Sequence, residues 1–243
     1  MDEKRNIEYE IADIISGRPY GFSVGKKPMC IYPVTLAKTF MLKRHMDELG
    51  IDKGNLMANP YLEAMRLVSE KKRTCCEIIA VHTSPNTYKD LYNMQASAAR
   101  RNLLGRMDDR DLATVLIHVL MSDKTDMVMR HLKLDKEQER MRKVMDVKRR
   151  DGKNNVSFGG ITIFGSFIGQ LKEMGYSDSE ILYERGYSFL RLMLADKMNT
   201  LYLSDEELAQ LPALTANTMD ANDPSSAGEV ISKLSKMGIK QKQ

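Results

Sequence analysis

The sequence predicts a mainly α-helical protein, a multi-helix bundle with a small N-terminal β-meander and a mobile C-terminal tail. Three observations lead to this prediction. Apolar residues recur at helical spacing, between clear helix-start signals, from about residue 35 onwards. Apolar and polar residues alternate before that point, as they do in half-buried strands. From residue 212 the chain becomes small and polar and then basic, a composition typical of segments without a packed core.

The predicted β-meander has two or three strands. Residues 7–11 and 20–24 alternate in polarity, and a turn at residues 25–28 leads to a last strand over residues 29–32. The alternative for the first of these segments is a short helix over residues 7–16. A sheet this small is not stable by itself, so it has to pack on the helices that follow.

Five helices are predicted in the first 150 residues from their N-caps. The side-chain oxygen of an N-cap residue accepts a hydrogen bond from a free amide of the first turn, which is why Ser, Thr, Asp and Asn mark helix starts. Gly50 ends the first helix, and the third continues to about Leu104. The predicted starts are Thr35, Asn59 followed by Pro60, Thr87 with Asp90, Asp108 or Asp109, and Asp135.

The clearest helix starts lie in the segment 157–208. Ser177 and Glu180 match the capping box S-x-x-E, in which each side chain accepts a hydrogen bond from the other residue's amide, and Ser204 and Glu207 repeat it. Apolar residues flank both boxes and can form hydrophobic staples. The glycines predicted to end helices here are Gly175 and Gly186.

The chain is predicted to have three parts. Residues 1–150 hold the β-meander and the first helices, residues 151–211 form a small helical region, and residues 212–243 form a flexible tail. The boundary at residue 150 rests on the polar stretch that follows it, which contains a turn-forming Asp151-Gly152 pair.

Composition excludes several classes of protein. A net charge of +4 over 243 residues does not by itself indicate a nucleic-acid partner. Three cysteines, two of them adjacent, provide neither a disulfide framework nor a C-x-x-C metal pair. The N-terminus lacks the apolar core of a signal peptide, and no apolar run is long enough to span a membrane. We therefore expect a cytoplasmic protein without a membrane partner.

No catalytic or cofactor-binding pattern is present in the sequence. A nucleophile elbow, a P-loop and a dinucleotide fingerprint are all missing, and no metal is expected because the four histidines are not spaced as ligands. His118 lies in an apolar run and is predicted to be a hydrogen-bonded core histidine. The sequence thus predicts a protein that is not an enzyme and needs no cofactor.

A basic segment offers one candidate binding surface. Positions 124–153 hold eleven basic and six acidic side chains, which could bind phosphates. The acids are interleaved with the bases and no aromatic side chain is present to stack on bases, so a solvated helix face is the favoured interpretation. The residues that would contact nucleic acid in the alternative interpretation, a nucleic-acid-associated adaptor, are Arg142, Lys148, Arg149 and Arg150.

An apolar cluster in the second predicted part offers another binding surface. A helix that is apolar nearly all round is buried in its own domain or in a partner, and the sequence leaves both alternatives open. The 18 methionines suit either alternative, because Met adapts to irregular cores and to binding surfaces. The predicted partner-binding residues are Ile181, Leu182, Phe189, Leu190, Met193 and Leu194.

The segment 157–208 resembles the C-terminal part of tail assembly chaperones of long-tailed bacteriophages and related prophages. The similarity covers the Gly-rich entry from Gly159 to Gly165, the helix end Met174-Gly175-Tyr176, the cap followed by Glu180-Ile181-Leu182, and the aromatic helix start Tyr187-Ser188-Phe189-Leu190. Residues 14–19 and 32–38 resemble the N-terminal part of that family more faintly.

This resemblance implies a function that the residues alone do not. It implies a non-enzymatic chaperone of the bacterial host cytoplasm that binds the tape-measure protein and the tail-tube protein during tail assembly. Many weak apolar contacts from Met-rich and Leu-rich faces suit a client that is held and later released. A homo-oligomer is compatible with the same sequence features.

Overall fold

The computed structural model describes residues 3–150, 162–197 and 204–211. Within these ranges the chain is mainly helical, with one small antiparallel sheet, which confirms the predicted fold class. The predicted mobile tail, residues 212–243, lies outside the described residues. The first strands and helices are α1 (Glu3–Ser16), β1 (Tyr20–Val24), β2 (Lys27–Ile31), α2 (Leu36–Leu49), α3 (Lys53–Ala58), α4 (Pro60–His82) and α5 (Tyr88–Leu91).

The elements of the second half of the described chain are all helices. It includes two π-helical segments, Phe164–Gly169 and Glu180–Glu184. The α-helices are α6 (Met94–Leu104), α7 (Asp109–Leu120), α8 (Thr125–His131), α9 (Leu134–Arg150), α10 (Gln170–Glu173), α11 (Tyr187–Ala195) and α12 (Asp205–Ala209).

The described residues separate into two compact units. The first unit comprises residues 3–135 and 162–197, and the second comprises residues 136–150 and 204–211. In the first unit, the amide of Tyr187 donates to the carbonyl oxygen of Val34 at 2.7 Å, so α11 is hydrogen-bonded to the chain that precedes α2. The predicted three-part organisation, with its boundary at residue 150, stays a prediction.

The N-terminal segment corrects one predicted strand. Residues 7–11 belong to helix α1 and not to a strand, which leaves a two-stranded hairpin. Ile7, Ile11 and Ile14 are spaced at i, i+4 and i+7, so the same apolar residues that alternate also form a helical stripe. The hairpin turn is the pair Gly25–Lys26, with a φ of 59° at Gly25, the position where tight hairpin turns require glycine.

The main core of the first unit lies between α2, α4, α6 and α7. Leu67, Ile78 and Ile79 of α4 are completely buried there against Leu112 and Leu116 of α7. The three cysteines are free thiols, and Cys75 and Cys76 lie in the same core. Burial raises the pKa of the Cys75 thiol to about 12, so this thiol is neutral.

A smaller apolar cluster joins α2 to the segment that follows residue 162. Leu36, Leu171, Ile181 and Leu190 are each at most 1% exposed and pack together. Since they come from α2, α10, a π-helical segment and α11, this cluster ties the C-terminal part of the first unit to its N-terminal helices.

Several predicted helix starts are confirmed by their hydrogen bonds. The amide of Leu62 donates to the side chain of Asn59 at 3.1 Å, and the amide of Lys38 donates to Thr35 Oγ1 at 3.4 Å. Both capping boxes form: the amide of Ser177 donates to Glu180 at 3.0 Å, and that of Ser204 donates to Glu207 at 2.7 Å. Gly175 ends α10 with a φ of 93°.

Other helix boundaries differ from the prediction. The helix predicted from Thr87 to Leu104 is two helices, because Asn93 accepts a hydrogen bond from the amide of Ala96 and starts α6 anew. Asp135 lies inside α9 and does not cap it. Gly186 precedes α11 and does not end a helix. Two short helices, α3 and α8, were not predicted, since neither spans enough turns to show a clear apolar period.

The second unit contains most of α9 together with α12. Val144, Val147 and Leu211 form its small apolar cluster, and Lys148 Nζ lies 3.3 Å from Glu207 Oε2. Within the described residues, no helix combines the length and the apolar character needed to cross a membrane.

Candidate binding cleft

The first unit contains a cleft of about 520 Å³. Its walls come from α1, from β1 and the chain after β2, from the C-terminal end of α7 with the turn that follows it, and from the start of α11. The residues that form these walls are separated by up to about 180 positions in the sequence, so only the packed fold creates the cleft.

Several aromatic side chains line the cleft. The ring of Tyr20 stacks on the imidazole of His118, with centroids 4.2 Å apart and an interplanar angle of 26°. Tyr32, Tyr187 and Phe189 line the same space. Flat apolar surfaces of this kind bind apolar and aromatic groups of a ligand without requiring one fixed hydrogen-bond pattern.

His118 was predicted to be a core histidine, and this prediction is wrong. The buried face of α7 is formed by Leu112, Val115, Leu116 and Val119, and His118 lies on the opposite, exposed face. An apolar run is not buried on all sides when its helix packs against the core with one stripe only. The imidazole therefore belongs to the cleft.

The charged groups at the rim of the cleft pair with one another. Lys124 forms an ion pair with Glu10, and Arg18 Nη1 lies 3.7 Å from Asp13 Oδ1. Asp123, which also lines the cleft, has its Oδ2 3.6 Å from Arg191 Nη1 of α11. Paired charges at a rim are available to orient a partner but are poor nucleophiles or proton-transfer groups.

Behind the wall of the cleft lies a buried amine that the sequence analysis missed. Lys38 is completely buried, and its Nζ donates to the carbonyl oxygen of Ser84 at 2.7 Å and to that of His82 at 3.4 Å. The same Nζ lies 5.4 Å from the centroid of the Tyr32 ring. Burial, with a smaller contribution from Arg100, lowers the pKa of Lys38 to about 7.

A signal for Lys38 was present in the sequence. It lies four residues before Leu42 and eleven before Leu49, both of them buried, so it occupies an apolar position of the α2 stripe. Its role is structural, because it holds the C-terminal end of α4 against α2 through main-chain carbonyl groups.

His82 is the second buried titratable group beside this wall. Burial and the positive charge of Lys38 lower its pKa to about 3. Its Nδ1 is buried without a hydrogen-bond partner among the described residues. His82 is therefore a neutral imidazole at physiological pH.

The structure divides the predicted partner-binding residues into two groups. Ile181 and Leu190 are completely buried in the smaller apolar cluster, where a partner cannot contact them directly. The half-buried members are Leu182, Phe189, Met193 and Leu194. Of these, Phe189 lines the cleft.

Ion pairs involve several side chains of the basic segment in the described residues. Lys143 Nζ lies 3.0 Å from Glu139 Oε1, and Lys148 pairs with Glu207. Arg142 is exposed, whereas the side chains of Arg149 and Arg150 lie outside the described part of the structure. Each ion pair reduces the charge available to a phosphate backbone.

In the part of the chain that the structure describes, few side chains are placed to support catalysis or metal binding. There, no three His, Cys, Asp or Glu side chains converge on a point where they could hold a metal ion. Comparison of the chain with protein-family models, with curated proteins and with solved structures finds no match.

Proposed function

We propose that this chain is a non-enzymatic binding protein whose cleft receives the apolar side of a helical client. We further propose that it acts as a tail assembly chaperone of a long-tailed bacteriophage, with the tape-measure and tail-tube proteins as clients. One observation carries the proposal: the segment on which the resemblance rests supplies Tyr187 and Phe189 to the wall of the cleft.

The geometry of the cleft favours binding over catalysis. Aromatic rings line it, and the acids and bases described at its rim neutralise one another in ion pairs. A catalytic site needs a nucleophile or base that is free to contact a substrate, whereas a binding site needs apolar area and a polar rim. The cleft has the second combination.

The size of the cleft also suits a helical client. A volume of about 520 Å³ holds several large apolar side chains but not a folded domain. A helix that inserts one row of side chains into such a groove and leaves its other faces outside is a common mode of recognition. Many repeats of this contact along a long helical client would keep the client covered.

The experiment is a capture of partners on the immobilised full-length protein, from the cell that produces it, at about 0.3 M salt to suppress phosphate-driven binding. Two variants, Tyr20→Ala and Phe189→Ala, remove aromatic surface from the cleft. Tyr61→Ala is the matched control, because Tyr61 is 41% exposed and Tyr20 is 47% exposed, but Tyr61 lies outside the cleft.

We expect the wild type and Tyr61→Ala to retain a long helical tail protein, and both cleft variants to lose it. Circular dichroism of each variant checks that the fold is retained. Retention of the same client by both cleft variants would contradict the proposal. Recovery of nucleic acid alone, at low salt only, would favour the adaptor that uses Arg142, Lys148, Arg149 and Arg150.

A further inference from the structure

Helix α1 contacts the rest of the first unit through one narrow face. Ile7, Glu10, Ile11 and Ile14, which we call the α1 stripe, are half-buried, and none of the described side chains of α1 is fully buried. No α1 residue belongs to either apolar cluster of the described first unit. Helix α1 is therefore an addition to a core that is complete without it.

The groove in which α1 lies is only partly filled. The helix packs against α8 and α11, and its Glu10 pairs with Lys124 at the start of α8. Glu10 and Ile14 nevertheless face the cleft of about 520 Å³. The cleft is partly open to solvent, and beside Ile14 it leaves space in which a larger side chain would gain dispersion contacts that α1 does not make.

The connection between α1 and the hairpin allows the helix to swing away. Gly17 follows α1 with a φ of 61°, and a Cβ atom added there would meet nothing within 4 Å. Among the described residues, the polar contacts of the Gly17-Arg18-Pro19 connection are a hydrogen bond from the Arg18 amide to the carbonyl oxygen of Asp13, at 3.2 Å, and the Arg18–Asp13 ion pair. Both of these join α1 to its own end, so they remain intact when α1 moves.

We propose that α1 is an internal occupant of a helix-binding groove, and that an amphipathic helix of the client displaces it. This inference rests on the proposed function, since the displacing helix belongs to the client. The groove selects a helix with apolar residues at i, i+4 and i+7, as at Ile7, Ile11 and Ile14 of α1. It also selects an acidic residue at i+3, the position from which Glu10 pairs with Lys124. Large side chains such as Phe, Leu or Met at the third apolar position fill the cleft that Ile14 leaves open.

A client helix is a better occupant than α1 of a second copy. A second copy offers the same isoleucines and leaves the same space unfilled, so exchange between copies gains no packing energy. A helix with larger apolar residues gains the contacts that α1 lacks. The groove therefore favours a different chain.

The test uses a fluorescent synthetic peptide of residues 3–16 as the probe and the full-length protein as the receptor. The variant Glu10→Lys places a positive charge of α1 beside Lys124, and the repulsion displaces α1 from the groove. The peptide keeps Glu10, so it can still pair with Lys124. Glu8→Lys is the matched control, because it makes the same charge change on the exposed face of the same helix. Fluorescence anisotropy gives each Kd.

We expect Glu10→Lys to bind the peptide roughly fivefold more tightly than the wild type and Glu8→Lys, the size of effect that reversing one half-buried ion pair gives. A peptide with Ile14→Phe should bind this variant still more tightly. Amide hydrogen exchange of α1 should rise in Glu10→Lys and return towards the wild-type rate in the double variant Glu10→Lys/Lys124→Glu.

Three results would overturn the inference. They are equal peptide affinities in Glu10→Lys and Glu8→Lys, unchanged exchange in α1, and a dimer formed by Glu10→Lys in place of peptide binding. The last result would assign the groove to a second copy. Failure of the proposed function is distinguishable, because the peptide would then bind as expected while no tail protein is captured by either the wild type or Glu10→Lys.

Discussion

Lys38 donates a hydrogen bond from its buried Nζ to the main-chain carbonyl oxygen of Ser84, 46 residues further along the chain, at 2.7 Å. The same amine reaches the carbonyl oxygen of His82, which also accepts from the amide of Tyr32 at 2.9 Å. Three segments therefore meet at one buried amine: the start of α2, the end of α4 and the chain that forms one wall of the cleft.

The buried amine should make stability depend on pH. Burial lowers the pKa of Lys38 from 10.5 to about 7, so between these values the folded protein binds fewer protons than the unfolded chain. The stabilisation is complete above pH 10.5 and is lost as the pH falls towards 7. Urea unfolding of the wild type should therefore give a free energy of unfolding about 1.5 kcal/mol higher at about pH 8.5 than at pH 7.

The control for this pH effect lies on the same helix. Lys38→Met should abolish the rise, because methionine has no amine to titrate. Lys43→Met should keep it, because Lys43 is exposed. The thiols of Cys75 and Cys76, whose pKa values burial raises, begin to ionise in the unfolded chain near this pH, but they do so equally in all three proteins and cancel in the comparison. Equal pH dependence in Lys38→Met and the wild type would contradict the assignment.

A second pH effect should appear in acid. Because the pKa of His82 is lowered from 6.5 to about 3, its contribution to stability is complete above pH 6.5 and is lost as the pH falls towards 3. His82→Leu removes the titrating group, and the His82 Nδ1 has no hydrogen-bond partner among the described residues. The wild type should lose about 2 kcal/mol of unfolding free energy between pH 7 and pH 5 that His82→Leu retains.

The measurement for His82 is urea unfolding of both proteins at the two pH values. Other groups titrate in the same range in both proteins, so the quantity of interest is the difference between their pH dependences. Equal losses in the wild type and in His82→Leu would show that His82 is protonated in the folded protein, in conflict with its burial.

Local signals in the sequence were sufficient to predict the helices that begin with a clear capping motif. Ser177 and Glu180 form the expected reciprocal hydrogen bonds, because both partners lie within four residues. The segment around Ile7 and Ile11 was misread for a local reason as well: its isoleucines satisfy the strand period and the helix period together. Packing against α8 and α11 then decides in favour of the helix.

The cleft could not be predicted, because it depends on contacts between distant residues. Tyr20 and His118 are 98 positions apart and meet only when the hairpin packs beside α7. The sequence did single out Phe189 as a binding residue, yet it gave no means of separating it from Leu190, which is fully buried. Which side of a short apolar helix faces a partner is decided by the neighbouring helices.

A buried carboxylate should be important for stability. Glu63 is 2% exposed and accepts from Arg66 Nη2 at 2.6 Å, from Arg66 Nε at 2.9 Å and from the amide of Asp52 at 2.9 Å. The hydrogen bonds from Arg66 lower the pKa of Glu63, so its stabilisation is present at neutral pH and lost in acid. Glu63→Gln leaves a buried amide facing a guanidinium and should cost about 2 kcal/mol in denaturant unfolding.

The matched control for Glu63 uses the same arginine. Glu70 accepts from Arg66 Nη1 at 2.7 Å but its side chain is 51% exposed. Glu70→Gln should therefore change the unfolding free energy by less than about 0.5 kcal/mol. Similar losses in the two variants would mean that burial does not distinguish these carboxylates.

The capping box at Ser177 should stabilise the segment that leads into the cleft. The amide of Glu180 donates to Ser177 Oγ at 3.2 Å, and this bond satisfies a donor that has no partner inside the helix. Ser177→Ala removes the acceptor and should cost about 1 kcal/mol. Amide hydrogen exchange should rise mainly at Glu180 and in the π-helical segment that begins there, Glu180–Glu184.

Ser179→Ala is the control for the capping box, because Ser179 is also exposed and lies in the same turn, but its hydroxyl donates to Glu184 Oε1, at 2.6 Å, and takes no part in the box. It should leave the exchange rate at Glu180 unchanged. Because Gly186 and the start of α11 follow this segment directly, faster exchange in Ser177→Ala should be accompanied by weaker client capture. Loss of the cap without any change in capture would show that the other contacts of α11 are sufficient to hold it in place, namely the hydrogen bond to Val34, the pair between Arg191 and Asp126 and the burial of Leu190.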